Sequence, residues 1–449
     1  MRNELCALSF LTIRLSVGIN STFDILHFTF NMTPRIQINL TTYLLKWLLL
    51  STVIGALIGS ASAFFLWSLN WATNYREGNL WIITLLPLGG LVIGLYYHYF
   101  GEDVVAGNNQ LLDEYHTPQK KIPFKMAPFV LFGTIITHLF GGSAGREGTA
   151  VQIGGAIADQ FTKPLKLNKE DRRTLLMMGI SGGFASVFGT PLAGTIFALE
   201  VLLIGKTKYN AILPTLLCAV AAHYFCSLWH VGHTHYHIGT IPALSAESLL
   251  WTIIVGIPFG LAAMAFSKSA HFWSSLFKSK IKYAPLRPVI GGFIIAFAVW
   301  LIGTTQYIGL GVPMIEKAFH EELHSYDFLV KILFTTFTLG AGFKGGEVTP
   351  LFFIGATLGN ALSFIVPLPV GLLAGMGFVA VFSGATNTPI ACTLMGIELF
   401  GADCAVYICI ACVIAYLFSG HSSIYSSQFI GAAKHFSFAR DEGKTIKEV

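Results

Sequence analysis

Thr190-Pro-Leu-Ala-Gly-Thr-Ile-Phe-Ala-Leu-Glu200 returns 198 residues later as Thr388-Pro-Ile-Ala-Cys-Thr-Leu-Met-Gly-Ile-Glu398. Met178-Gly179 and Met376-Gly377 keep that offset. Upstream, Glu147, Thr149, Gly155 and Ala156 match Glu347, Thr349, Gly355 and Ala356 at an offset of 200. One such run arises by chance among Gly-rich apolar sequences, but two in the same order mark a duplication. In both copies Gly and Pro cut the apolar segments short, as in GGSAGREGT, VFGTPLAG, GAGFKGGEVTP and GATNTPIA. Paired halves with interrupted apolar segments in matching places are the pattern of a repeat-built transporter, whose binding site lies where the interruptions meet.

Composition narrows the class in the same direction. Of 449 residues, 54% are hydrophobic and 11% charged, against roughly 25% charged in soluble domains. Mean hydropathy is +0.65. A soluble enzyme, a disordered scaffold and a nucleic-acid binder are excluded as descriptions of the whole chain. The apolar runs are long and lack strict alternation, so an all-α polytopic membrane protein is expected rather than a β-barrel. Many runs fall below the ~20 residues that cross a bilayer. Broken helices survive at that depth only where protein or a water-filled cavity satisfies the freed backbone groups. The expected organisation is an N-terminal segment 1–39, a first membrane repeat 40–235, a second 236–430 and a short cytoplasmic tail 431–449. Met32 reads as the start of translation; the alternative is that residues 1–31 form an amphipathic segment at the membrane surface.

Three Gly-rich turns, Gly107-Asn-Asn-Gln110, Gly145-Arg-Glu-Gly-Thr149 and Gly345-Gly-Glu-Val-Thr-Pro350, are expected to precede apolar helices. Each leaves backbone N–H groups unpaired at a helix start, where the macrodipole adds partial positive charge. Converging at mid-membrane, such ends make an anion site without a full cation. Gly148, Thr149, Val348 and Thr349 carry these first-turn groups, and Asn108, Asn109 and Thr349 add side-chain donors. Glu147 and Glu347 are the sharp residues, because a carboxylate near the bilayer centre is costly and marks function by default. Two readings stand for each. Either it caps its own helix, with Arg146 paired at the surface, or it works in transport, Glu147 by competing with the anion when charged and leaving the site when protonated. Glu200 and Glu398, at equivalent places in the repeats, read as structural caps or partners of a loop lysine.

Other features carry less. Arg172 and Arg173 beside Asp171 read as a solvated loop end. His230-Val-Gly-His233-Thr-His235-Tyr-His237 reads as a solvent-exposed loop, with no metal or other cofactor expected. The seven cysteines are odd in number and lack metal spacing, so they read as small buried hydrophobes without a disulfide framework.

At these residues the chain resembles the CLC family of chloride channels and anion/proton antiporters. Gly145-Arg-Glu-Gly-Thr149 followed by Val151-Gln152 is close to that family's GREGP motif with its gating glutamate, and the context of Leu192-Ala-Gly194 fits. The resemblance spans about residues 40–430 and implies a CLC-type fold of two inverted-topology repeats. Three departures point to the fluoride/proton antiporter branch. Asn108 stands where a chloride-coordinating serine is usual. Gly345-Gly-Glu-Val-Thr-Pro350 replaces the GxFxP turn, and Val201 replaces the inner proton-transfer glutamate. His421-Ser-Ser-Ile-Tyr425 is similar to the segment that supplies the family's pore tyrosine, which assigns that role to Tyr425.

The resemblance therefore implies fluoride export driven by proton influx, with Glu147 and Glu347 handling the proton. A chloride/proton antiporter and a passive anion channel are the alternatives. It also implies a homodimer with one pathway per subunit, multi-pass in the cell's inner membrane. Fluoride or chloride, protons and the lipid bilayer are the expected partners. Compact donors such as Asn108, Thr349 and Tyr425 suit a small, strongly hydrated anion. Only about 20 residues follow the second membrane repeat, so no cytoplasmic nucleotide-regulated domain is expected.

Overall fold

The computed structural model describes residues 34–234 and 236–449. The readings for residues 1–31, and His235, fall outside them. The chain divides into two compact units, one ending at Leu50 and one running Ser51–Val449. The described part of the first unit is the opening of helix α1, Pro34–Gly78, in which Tyr43 and Trp47 meet edge to face with centroids 6.2 Å apart.

The second unit holds the rest of α1, then α2 Leu86–Phe100, α3 Asn108–His116, α4 Met126–Leu139, α5 Glu147–Ala158, α6 Lys169–Phe188, α7 Pro191–Glu200 and α8 Ile212–Ser227. Next come α9 Ala246–Lys280, α10 Leu286–Ile302, α11 Val312–Ala318 and α12 Asp327–Gly340. The chain continues through α13 Val348–Leu362, α14 Val370–Thr386, α15 Pro389–Phe400 and α16 Ala405–Phe418. The fold is all-α and polytopic, with short, interrupted helices in both halves of the chain. The stretches Ile36–Gly78, Leu80–Phe100, Tyr209–Ser227 and Ala246–Lys280 are long and apolar enough to cross a membrane, whereas α4, α7 and α13 are apolar but shorter. Two two-residue strands, β1 Leu203–Ile204 and β2 Phe429–Ile430, pair in parallel and tie the C-terminal segment to the end of α7.

The duplication is visible in the backbone. Gly189 (φ 78°) ends α6 and Asn387 (φ 61°) ends α14, both left-handed. Gly adopts this conformation without a Cβ penalty and Asn tolerates it better than most residues. Pro191 and Pro389 then open α7 and α15, at the position where a missing N–H costs nothing. Packing repeats as well. A Cβ on Gly154 would lie 2.1 Å from the Gly179 carbonyl oxygen, and one on Gly355 would lie 2.0 Å from that of Gly377. These glycines bring α5 onto α6 and α13 onto α14 at backbone contact, the small-residue mode of helix association in membranes.

Two expectations are corrected. The Gly107 turn opens α3, a nine-residue helix reading NNQLLDEYH, which is polar rather than apolar. Arg172 is no solvated loop end: it is buried in the first turn of α6. Its Nε and Nη2 donate to the two Asp159 carboxylate oxygens at 2.8 and 2.9 Å, and its Nη1 donates to Glu114 at 3.1 Å. Arg173 is half-buried and donates to the Tyr115 carbonyl at 2.9 Å. The partners come from other helices, out of reach of any local pattern. In the His-rich stretch His230 and His237 are exposed, while His233 is half-buried with Nε2 3.0 Å from the Ser186 carbonyl. The six described cysteines are free thiols, all buried but Cys409.

Candidate functional site

The site forms where the interrupted segments of the two repeats meet. The turns before α5 and α13 pair as an antiparallel bridge. Gly145 N–H donates to the Gly346 carbonyl at 2.6 Å, and Gly346 N–H returns a bond to Gly145 at 2.8 Å. Backbone pairing this close leaves little room for a side chain, since a Cβ on Gly346 would lie 2.7 Å from the Gly148 nitrogen. The two helix N-termini, each with unpaired N–H groups, are therefore held against one another.

Glu147, at the start of α5, is fully buried and turned toward α13. Its Oε2 accepts the backbone N–H of Thr349 at 3.0 Å, and the Thr349 hydroxyl lies 2.7 and 2.6 Å from the two carboxylate oxygens. Arg146 adds its own N–H at 3.2 Å and its Nε at 3.3 Å. The glutamate thus caps the helix of the other repeat rather than its own. Its carboxylate sits where unpaired N–H groups and the helix dipole favour negative charge.

The mirror position behaves differently. Thr149 is buried with its hydroxyl 2.8 Å from that of Thr134, and Glu347 does not reach it. Glu347 instead lines a cavity of about 140 Å³ with Asn108, Asn109, Gln152, Lys344 and Tyr425. The Oε2 of Glu347 and the Oδ1 of Asn108 are buried there without a hydrogen-bond partner. Gly148 makes this approach possible. A Cβ at that position would lie 3.0 Å from Asn108 Nδ2 and 3.4 Å from Glu347 Oε2.

Among the other expected site residues, Asn109 accepts the Ser427 N–H on Oδ1 at 3.0 Å, which pins the Gly107 turn to the segment after Tyr425. Tyr425 is buried and its own N–H donates to Ser423 Oγ at 3.1 Å. Val348 is buried at the start of α13 and offers only its backbone. The cavity thus gathers Asn108, Asn109, Glu347 and Tyr425; Gly148 abuts Asn108 and Glu347; Thr349 serves Glu147; Thr149 is turned elsewhere. Gln152 and Lys344 line the cavity without having been singled out. Gln152 Nε2 donates to the Gly148 carbonyl at 3.3 Å. A lysine in an apolar repeat, three residues before Glu347, was the available signal for Lys344.

A second pair of carboxylates joins the repeats. Glu398, in α15, accepts the N–H groups of Leu192 and Ala193 at 2.9 and 2.8 Å, at the start of α7. Glu200, at the end of α7, accepts those of Ile390 and Ala391 at 3.3 and 2.8 Å, at the start of α15. The structural reading of these two residues holds in the form of reciprocal caps.

Two inverted repeats of broken helices closing on a small polar cavity define a multi-pass membrane transporter. Comparison with known proteins makes the class specific. Residues 89–420 match the family described as Voltage gated chloride channel, and the chain belongs to this family, the CLC anion transporters. It is 51% identical over 405 residues to a protein of Pseudomonas syringae pv. tomato named Chloride/fluoride channel protein, covering 89% of this chain and 90% of the relative. It superimposes on a crystal structure of a CLC-type fluoride/proton antiporter with a TM-score of 0.83 at 35% identity, covering 89% of this chain and 99% of the other. A slow cyanobacterial Cl⁻/H⁺ antiporter shares the fold at a TM-score of 0.74 and 20% identity, over 83% and 94% of the two chains.

Proposed function

We propose that this CLC-family transporter exports fluoride in exchange for protons. The observation that carries the reading is the Glu147 carboxylate on the N-terminus of α13. A negative group held there by the Thr349 N–H and hydroxyl occupies donors that a small anion would also use. Protonation removes the charge that favours that seat, so the side chain leaves and the anion takes its place. Proton uptake and anion occupancy are then exclusive at one set of donors. Glu347 stands beside the pathway to receive or steer the protonated gate. Asn108, Asn109, Tyr425 and the first turns at Gly148–Thr149 and Val348–Thr349 supply the donors.

Fluoride is favoured over chloride by the compact amide of Asn108, the Glu347-Val-Thr349 turn and Val201 in the inner proton position. The resemblance to the fluoride/proton antiporter structure supports it. The second reading is passive anion conduction, which Val201 and the channel name of the Pseudomonas relative favour. The working unit is a homodimer in the inner membrane, with repeats dividing at about residues 235–236 and a tail from 431. The test is flux from proteoliposomes loaded with fluoride or chloride, read by ion-selective and pH electrodes together. Fluoride efflux with stoichiometric proton uptake is expected. Chloride preference or anion movement with no pH change overturns the respective part.

A further inference from the structure

The turn between α12 and α13 carries two ionisable side chains into one cavity, Glu347 and, three residues earlier, Lys344. Among the described residues no carboxylate lies within ion-pair distance of Lys344. Its Nζ stands 4.2 Å from the centroid of the Tyr97 ring, which also lines the cavity. An aromatic face returns only part of the hydration that an ammonium loses on burial. On the other side the Glu347 Oε2 is buried with no hydrogen-bond donor. A half-buried cation without a carboxylate partner and a carboxylate whose buried Oε2 has no donor thus share a cavity of about 140 Å³, large enough for a few waters or a small anion.

We propose that Lys344 is the counter-charge of the transported anion and sets how tightly the cavity holds it. This rests on the reading that an anion passes through this cavity. Lys344 attracts the anion, and Glu347, when charged, opposes it from the same turn. With Glu347 neutral the cavity carries the lysine charge alone and anion affinity is at its highest. The helix N-termini supply directed donors, and Lys344 supplies the full charge that those partial charges lack. A lysine head is compact, which suits a small anion better than a broad planar cation.

The test is a charge cycle on the full-length protein in detergent, titrated with sodium fluoride and sodium chloride by calorimetry. K344M is expected to weaken anion binding by about tenfold or more, the scale of one full charge a few ångströms away in a partly screened cavity. E347Q is expected to tighten it by a similar factor, and the double variant K344M/E347Q to return near wild type. K344R, which keeps the charge, should retain most of the affinity. Unchanged binding in K344M overturns the proposal, as does a K344R that loses as much as K344M, because packing rather than charge would then be responsible. Where K344M is not recovered as a monodisperse species, E347Q in the K344R background decides, and no tightening there overturns the proposal. A wild type that binds chloride and not fluoride refutes the fluoride reading while the cycle is read with chloride. A wild type that binds neither ion refutes both.

Discussion

Glutamates join the two repeats twice, and the two junctions differ in one respect. At the junction of α7 and α15, Glu200 and Glu398 each accept two backbone N–H groups from the other repeat, so the arrangement reads the same in both directions. At the junction of α5 and α13, Glu147 accepts from Thr349, but Glu347 has no matching bond to Thr149. The chemistry is the same at both, a carboxylate on a helix N-terminus. Where every acceptor is filled, the pair is a fastening. Where one copy has drifted and left a carboxylate oxygen unpartnered in a cavity, the junction has room for an ion and a proton. Broken symmetry, not the presence of charge, separates the junction proposed to work in transport from the one that is fully capped.

The largest expected effect lies at the asymmetric junction. Glu147→Gln removes the carboxylate while keeping its shape, so proton flux in proteoliposomes should fall to background while anion flux persists. Coupled proton movement in that variant would erase the distinction between the two junctions. Next is Thr349→Val, which deletes the hydroxyl at 2.7 and 2.6 Å from the Glu147 oxygens. A hydrogen bond to a charged group contributes roughly 1.5–3 kcal/mol. On the proposal that the anion uses the same donor, its affinity should drop about ten- to a hundredfold.

Glu200→Ala and Glu398→Ala should act on stability alone. Each strips a cap, at a cost of about 0.5–2 kcal/mol, visible as a lower thermal midpoint with the anion/proton ratio unchanged. A changed ratio in either variant would move that pair into the transport machinery. The smallest effect is expected for Thr149→Val, whose hydroxyl meets only Thr134 at 2.8 Å. Transport within about twofold of wild type would show that the two threonines, matched in sequence, are no longer matched in role.

The repeat and its breaks were legible because both copies carry their own local determinants. A left-handed residue at 189 or 387, then Thr-Pro, ends one helix and starts the next wherever it occurs. The glutamates stood out because carboxylates are costly in an apolar setting. Their partners could not be read, since the Glu147–Thr349 bond spans 202 residues and depends on how the repeats invert. The same limit hid the burial of Arg172, whose Asp159 and Glu114 lie on other helices. The polar helix α3 was missed as a helix of its own kind, because NNQLLDEYH lacks the apolar signal on which the other segments were found. Lys344 was passed over for a related reason. It was read as part of a Gly-rich break, and only the cavity shows that it shares a space with Glu347.

The reciprocal caps have a consequence for synthesis. The N-terminus of α7 is completed by Glu398, 206 residues downstream of Leu192. At roughly 5–20 residues per second, the start of α7 waits on the order of ten to forty seconds for its cap. During that interval the first repeat sits in the membrane with open donors, and the insertion machinery or the lipid headgroups must cover them. Only when α15 arrives can Glu398 close the start of α7 and Glu200 close the start of α15, so neither cap forms before the second repeat is made.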